Sequence, residues 1–245
     1  MADFSNKVIY QIYPKSFKDS NGDGIGDLRG VAEKLDYLKD LGVDYLWLTP
    51  FFVSPQRDNG YDVADYRNID PMFGTMEDLD NLIAEGEKRN IGLMFDMVFN
   101  HTSTSHEWFR RALAGEKKYQ DYYIFKEGAP DQPPTNWQSK FGGSAWEYVS
   151  SLGKWYLHLF DVTQADLNWK NPEVREELKE VIRFLFENAN LDVIFCGHFL
   201  WNEQSHRVQE KSGFKHYAFD TYETAFGTTE ENEVNILKRE DWVLQ

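Results

Sequence analysis

Residues 96–101 read Asp-Met-Val-Phe-Asn-His, placing a carboxylate, an amide and an imidazole directly after the apolar run 91–95. If that run is a buried parallel strand, these polar groups stand at its carboxyl end, where α/β barrels gather their chemistry. A second group, Asp58-Asn59-Gly60-Tyr61-Asp62, follows the apolar run 45–48 and its loop. Here a carboxylate can hold hydroxyls in register while an aromatic ring covers an apolar sugar face. Plainer readings exist for both groups. Asp58-Asn59-Gly60 alone makes a turn with Tyr61 as a core ring, and Asp96, Asn100 and His101 alone make a capped strand end. Two successive strand ends with polar and aromatic tips favour a sugar-handling site.

A third group is the stretch Asp19-Ser20-Asn21-Gly22-Asp23-Gly24-Ile25-Gly26-Asp27. Oxygen side chains at alternate positions of a glycine-rich loop suit a hard cation such as Ca²⁺, which takes six or more oxygens. Asp27 is the ninth residue and no glutamate follows at the twelfth, so the loop is not a full EF-hand. A solvated acidic turn is the alternative, and the cation is favoured over it. His106, His158, His198, His206 and His216 show no metal-like spacing.

The elements that must position these groups follow from periodicity. Residues 8–12 alternate as a strand. Leu28, Val31, Leu35, Leu38 and Leu41 recur at helical spacing, and 43–48 reads as the next buried strand. Thr75 with Asp78 three residues on predicts a capped helix over 75–89, followed by a third strand at 91–95. Strand, helix, strand, helix, strand with short links is the pattern of parallel βαβ units. From 102 to 170 the chain is rich in Trp, Tyr, Gly and Pro, with a helical piece near 107–114, and reads as an inserted subdomain over the strand ends. Pro172 opens another helix whose apolar face is Val174, Leu178, Val181, Ile182 and Leu185. A fourth strand is expected at 192–195. The predicted organisation is thus 1–101 as the first part of the barrel, 102–170 as the insertion and 171–245 as continuation with an altered C-terminal segment.

The 245 residues are 41 % hydrophobic, enough for a sizeable core, and 16 % aromatic. That aromatic share, with 8 Trp, 13 Tyr and 18 Phe, suits heavy packing or a cleft that stacks flat ligands. A net charge of −15 argues against nucleic acid as a partner. No apolar run approaches a membrane span, and the first residues lack the charged and apolar regions of a signal peptide. Cys196 is the only cysteine and can make no internal disulfide. A cytoplasmic compartment is expected.

Taken together, Tyr10-Gln11-Ile12-Tyr13-Pro14, the acidic loop, 58–61, 96–101 and Gln164-Ala165-Asp166-Leu167-Asn168 resemble the α-amylase family of glycoside hydrolases. The resemblance covers about residues 7–187 and is nearest to the oligo-1,6-glucosidase group. Val53-Ser54-Pro55-Gln56, 141–146 and 164–169 look most like the members that hydrolyse trehalose 6-phosphate. It implies a (β/α)8 TIM-type barrel with an insertion after strand 3. It also implies a retaining α-glucosidase acting on trehalose 6-phosphate or small α-glucosides. By resemblance, Asp58 and Tyr61 hold and stack the glucosyl unit, His101 hydrogen-bonds it, and Asp96 and Asn100 support the strand end. Asp19, Asn21, Asp23, the carbonyl of Ile25 and Asp27 bind Ca²⁺.

The departures begin at the fourth strand. The family places Arg two residues before its nucleophilic Asp, where the cation keeps the carboxylate ionised. Aligning 191–194 with that motif makes Asp192 the nucleophile, with Asn190 in the place of Arg and about four residues missing. No match for the general-acid strand follows. A complete barrel takes roughly 250 residues before insertions, so an insertion of about seventy leaves little more than half of one. The expectation is a barrel truncated to about its first half. Such a chain either binds sugar without turnover or associates with another chain through its unclosed edges.

Overall fold

The computed structural model describes residues 6–188, 193–200, 206, 209–210, 213–223 and 229–238. They fall into two compact units, Met1–Val181 and Ile182–Gln245.

In the first unit, β1 (Ile9–Ile12) leads through α1 (Pro14–Phe17) to α2 (Leu28–Glu33) and α3 (Leu35–Asp40). The apolar period predicted one helix across 28–41, but the helix breaks at Lys34, whose φ and ψ are −102° and 4°. Its amide turns back to the carbonyls of Val31, at 3.0 Å, and Ala32 rather than continuing the helix. The break leaves most of the apolar stripe intact, because Leu28, Val31, Leu35 and Leu38 are all fully buried, but Leu41, expected on the same stripe, caps α3 and is 53 % exposed. At Gly30 a Cβ would lie 1.9 Å from the carbonyl oxygen of Lys18, so only glycine lets α2 seat against that loop.

Next come β2 (Tyr45–Leu48), the short β3 (Phe52–Val53), β4 (Asp65–Ile69), α4 (Met76–Lys88) and β5 (Gly92–Phe95). Thr75 and Asp78 close the expected capping box on α4. Strands β1, β2 and β5 form one parallel sheet in that order, with Ile9, Tyr45 and Gly92 in register. Their carboxyl ends therefore lie side by side. β3 and β4 pair antiparallel and fold the chain back over those ends. Parallel strands are normally covered on both faces. Here Ile9, Tyr10 and Trp47 are 42, 36 and 38 % exposed, and among the described residues no closed barrel forms.

The segment after β5 carries β6 (His101–Ser103), α5 (Glu107–Leu113), α6 (Lys117–Gln120), β7 (Phe125–Glu127), β8 (Trp146–Val149), β9 (Lys154–Leu157) and β10 (Gln164–Asp166). β7, β9 and β8 make a small antiparallel sheet, and β10 pairs antiparallel with β6. Phe109, Tyr122, Tyr123, Tyr156, Leu167 and Leu178 form the core beneath it. α7 (Pro172–Asn188) starts at the expected proline, with the Glu173 amide donating to Asn171 Oδ1 at 2.9 Å.

The second unit contains β11 (Val193–Phe199), β12 (Lys215–Glu223) and β13 (Thr229–Lys238), in the order β11-β13-β12. Every pairing is antiparallel. The strand expected at 192–195 therefore exists but does not extend the parallel sheet. Between Glu223 and Thr229 the chain is too short for the crossover of a dozen or more residues that parallel neighbours require.

Candidate active site

The site is built on the carboxyl ends of β2 and β5. After β2, Phe51 is fully buried, stacks on Phe52 at 4.9 Å and meets Phe95 edge-on at 5.2 Å. This apolar floor anchors the loop 54–62. Above it Asp62, also fully buried, accepts hydrogen bonds from Ser54 Oγ (2.8 Å) and the amides of Arg57 and Asp58 (both 3.1 Å). Asn59 and Gly60 adopt φ of 48° and 99°, turning the chain so that the Tyr61 amide donates to the Asp58 carbonyl at 2.9 Å. A Cβ on Gly60 would sit 2.5 Å from the Pro50 carbonyl oxygen, so glycine is required in that turn.

The turn delivers Tyr61 to the end of β5, where its hydroxyl donates to Asp96 Oδ2 at 2.9 Å. Burial raises the Asp96 carboxyl above its ordinary value, against hydrogen bonds from Tyr61 and Trp47 that pull it down. Burial likewise raises the Tyr61 phenol, reinforced by the Asp96 charge. His101, 4 % exposed, holds Nε2 at 3.1 Å from the Tyr61 carbonyl oxygen and tilts its ring against Phe160 at 5.2 Å. Its pKa is lowered by burial, so the ring is neutral near pH 7.

The pairing of β10 with β6 sets Asp166 opposite His101. Asp166 accepts from Asn100 Nδ2 at 2.5 Å and from the Leu159 amide at 2.8 Å. Burial pushes its carboxyl up to about 7 despite both donors. Two residues earlier on the same strand, Gln164 Nε2 donates to Asp58 Oδ2 at 2.9 Å. Asp58, Tyr61, Asp96, Asn100 and His101 are thus brought together. Asp62, Gln164, Asp166 and Phe160 join them; Asp62 closes the 58–62 group and Gln164 and Asp166 lie in the 164–168 stretch of the resemblance, but the sequence assigns none of the four a role in the site. Beside that motif, the i, i+2 alternation of Gln164 and Asp166 is a further signal, since it puts both on one face of a strand.

The acidic loop behaves differently. Asp19 accepts the amides of Asn21, Gly22 and Gly24, Asp23 accepts that of Ile25, and Asp27 caps α2 through the Gly30 amide while accepting from Ser20. Among the described residues no three Asp, Glu, His or Cys side chains gather as a metal site. The oxygens are turned onto the loop's own amides, although a carboxylate retains further lone pairs for a cation. Asp192 lies outside the described residues. No described helix is long and apolar enough to cross a membrane.

A polar cluster over the carboxyl ends of parallel strands is the place where α/β-barrel enzymes carry their active sites. The chain belongs to the alpha-amylase family, whose catalytic-domain profile matches residues 11–194. It is 60 % identical over 195 residues to trehalose-6-phosphate hydrolase of Escherichia coli, covering 78 % of this chain and 35 % of that protein. Oligo-1,6-glucosidase of Bacillus cereus is 47 % identical over 225 residues, covering 87 % and 40 %. The crystal structure of Bacillus licheniformis trehalose-6-phosphate hydrolase is similar with a TM-score of 0.71 at 55 % identity, covering 74 % of this chain and 33 % of that one. The chain spans about a third of the length of such relatives. The family's catalytic domain is a (β/α)8 barrel, of which the parallel β1-β2-β5 sheet is the part seen here.

Proposed function

We propose that this chain carries the glucosyl-binding face of a phosphotrehalase-type α-glucosidase, the whole enzyme converting trehalose 6-phosphate to glucose and glucose 6-phosphate. Asp58 accepts sugar hydroxyls, Tyr61 stacks on the ring and His101 donates at its edge. The observation that supports this most is the cross-linking of two strand ends into one cluster by Tyr61–Asp96, His101–Tyr61 and Gln164–Asp58. Retention of configuration requires an attacking Asp and a protonating Glu about 5–5.5 Å apart. Asp192 is the candidate for the first, and no described residue is assigned to the second.

A second reading, sugar binding without turnover, is favoured by Asn190 in the place of the family's Arg and by the antiparallel setting of β11. Calorimetric titration with isomaltose and trehalose 6-phosphate tests the shared part. Binding is expected, weakened at least tenfold in Tyr61→Ala and Asp58→Asn; unchanged affinity in both variants would end the proposal. Hydrolysis of a chromogenic α-glucoside by the chain is expected to be undetectable. Turnover abolished by Asp192→Asn would instead establish Asp192 as the nucleophile.

Two further parts of the reading are proposals of the same kind. The Asp19–Asp27 loop takes Ca²⁺, so calcium should raise the melting temperature of the wild type and not of Asp23→Ala. The exposed residues Ile9, Tyr10 and Trp47 of the parallel sheet support association with another chain, which light-scattering mass would register as an oligomer.

A further inference from the structure

We propose that Asp166 is a positioning residue which, through Asn100, fixes the tautomer of His101 and so decides that this ring presents a donor at Nε2. The proposal rests on the sugar-binding reading only for what that donor is used for; the tautomer itself is a property of the free protein.

Above about pH 7, to which burial pushes its carboxyl, Asp166 is ionised, and an ionised carboxylate only accepts. Asp166 Oδ1 lies 2.5 Å from the Asn100 side-chain amide, so Asn100 must turn its NH₂ toward it. The other Asp166 oxygen is committed to the half-buried amide of Leu159 at 2.8 Å, which holds the carboxylate in place. The same Asn100 Nδ2 lies 3.3 Å from His101 Nδ1. A donor facing Nδ1 requires that nitrogen to be bare, and a neutral imidazole with a bare Nδ1 carries its proton on Nε2. Nε2 then donates to the Tyr61 carbonyl at 3.1 Å. Asp166 and His101 are 3 and 4 % exposed, so water does not readily replace either end of the chain of bonds. The bond at Nε2 uses the neutral ring's one N–H, so a sugar oxygen reached by it must accept and must share or displace the bond to the Tyr61 carbonyl.

The Tyr61 carbonyl also favours a proton on Nε2, and the experiment separates the two causes. In Asp166→Asn, the oxygen stays with the Leu159 amide and the new NH₂ faces Asn100. Asn100 must flip, turning its oxygen toward Nδ1. The exchange of both residues, Asp166→Asn with Asn100→Asp, restores a carboxylate–amide pair but also points an acceptor at Nδ1. Histidine-labelled protein is observed by long-range nitrogen–proton NMR in alkaline buffer without ligand, the His101 signals being those lost in His101→Gln.

The wild type is expected to show the Nε2-protonated pattern, and both the single and exchanged variants the Nδ1-protonated one. Asn100→Ser, a change at an exposed position that leaves the buried acid in place, is expected to give a mixture of the two. A wild type protonated on Nδ1 overturns the proposal. So does a pure Nε2 pattern surviving in Asn100→Ser or in the exchanged pair, since Tyr61 alone would then set the tautomer. Loss of sugar binding leaves these patterns in the free protein unmoved, so the two proposals fail separately.

Discussion

Asp62 and Asp19 each accept three hydrogen bonds, yet they do opposite things. Asp62 is fully buried and takes a serine hydroxyl and two amides beneath the turn that presents Asp58 and Tyr61. Asp19 takes three amides of an exposed loop, and these lower its carboxyl below the ordinary value. When an acceptor is deleted in an exposed loop, water replaces it. Beneath the 58–61 turn water has little access, and each stranded donor bears its full desolvation penalty. The carboxylates of the 19–27 run thus hold amides of their own loop. The site adds to such local bonds ones that reach far along the chain, Tyr61 with Asp96 and Gln164 with Asp58.

The largest effect should come from breaking this contrast at its root. Asp62→Ala is expected to remove about 4 kcal/mol of stability, three donors being stranded at ~1–3 kcal/mol each with some relief from relaxation. It should also abolish sugar binding, because Asp58 loses its register. Asp19→Ala in calcium-free buffer should give a distinctly smaller loss in the same urea titration. Equal losses for the two variants would refute the distinction.

A smaller effect separates the buried groups by pH. His106 is pushed down from 6.5 to about 4 by burial and accepts the Trp108 amide at Nδ1, capping α5. Between those values the unfolded chain binds the proton and the folded one does not, so the His106 contribution is lost as pH falls. Asp166, raised from 3.8 to about 7, acts with the opposite sign: the folded chain holds the proton longer, and stability falls as pH rises through that range. Each can contribute up to ~1.4 kcal/mol per pH unit, and across pH 4 to 6.5 the two nearly cancel. His106→Gln should therefore lose stability with rising pH, and Asp166→Asn should gain it. A flat profile in both variants would mean that burial at this site does not set proton affinity.

Why some of this was legible in the sequence follows from the same contrast. Apolar period and caps act over one or two turns of chain, so the parallel strands, α4 with its capping box and the proline start of α7 could be read directly. The break at Lys34 could not, because both short helices preserve one apolar stripe. Tyr61 and His101 were visible as polar and aromatic tips on strand ends. Asp62, Gln164 and Asp166 stood in the 58–62 and 164–168 stretches, but their roles did not show, since Gln164 and Asp166 meet Asp58 and Asn100 only once the fold brings these together. The antiparallel turn of β11 depends on pairing with β13, which apolar content in 192–195 does not encode.

The smallest prediction tests a case between the two extremes. Thr75 Oγ1 accepts the Asp78 amide at 3.3 Å, while Asp78 Oδ2 accepts the Thr75 amide at 2.8 Å. These are local bonds like those of the acidic loop. Asp78 is also bound by Arg29 at 2.5 Å, a partner nearly fifty residues away in the chain, and is 8 % exposed. If locality alone governed the energetics, Thr75→Ala should resemble Asp19→Ala. If burial governs, the capping bond should count, and Thr75→Ala should cost about 1 kcal/mol, the usual value for a lost N-cap. Thr75→Ser keeps the hydroxyl and should recover most of it. A urea midpoint unchanged in Thr75→Ala would place the α4 cap with the exposed loop rather than with the site.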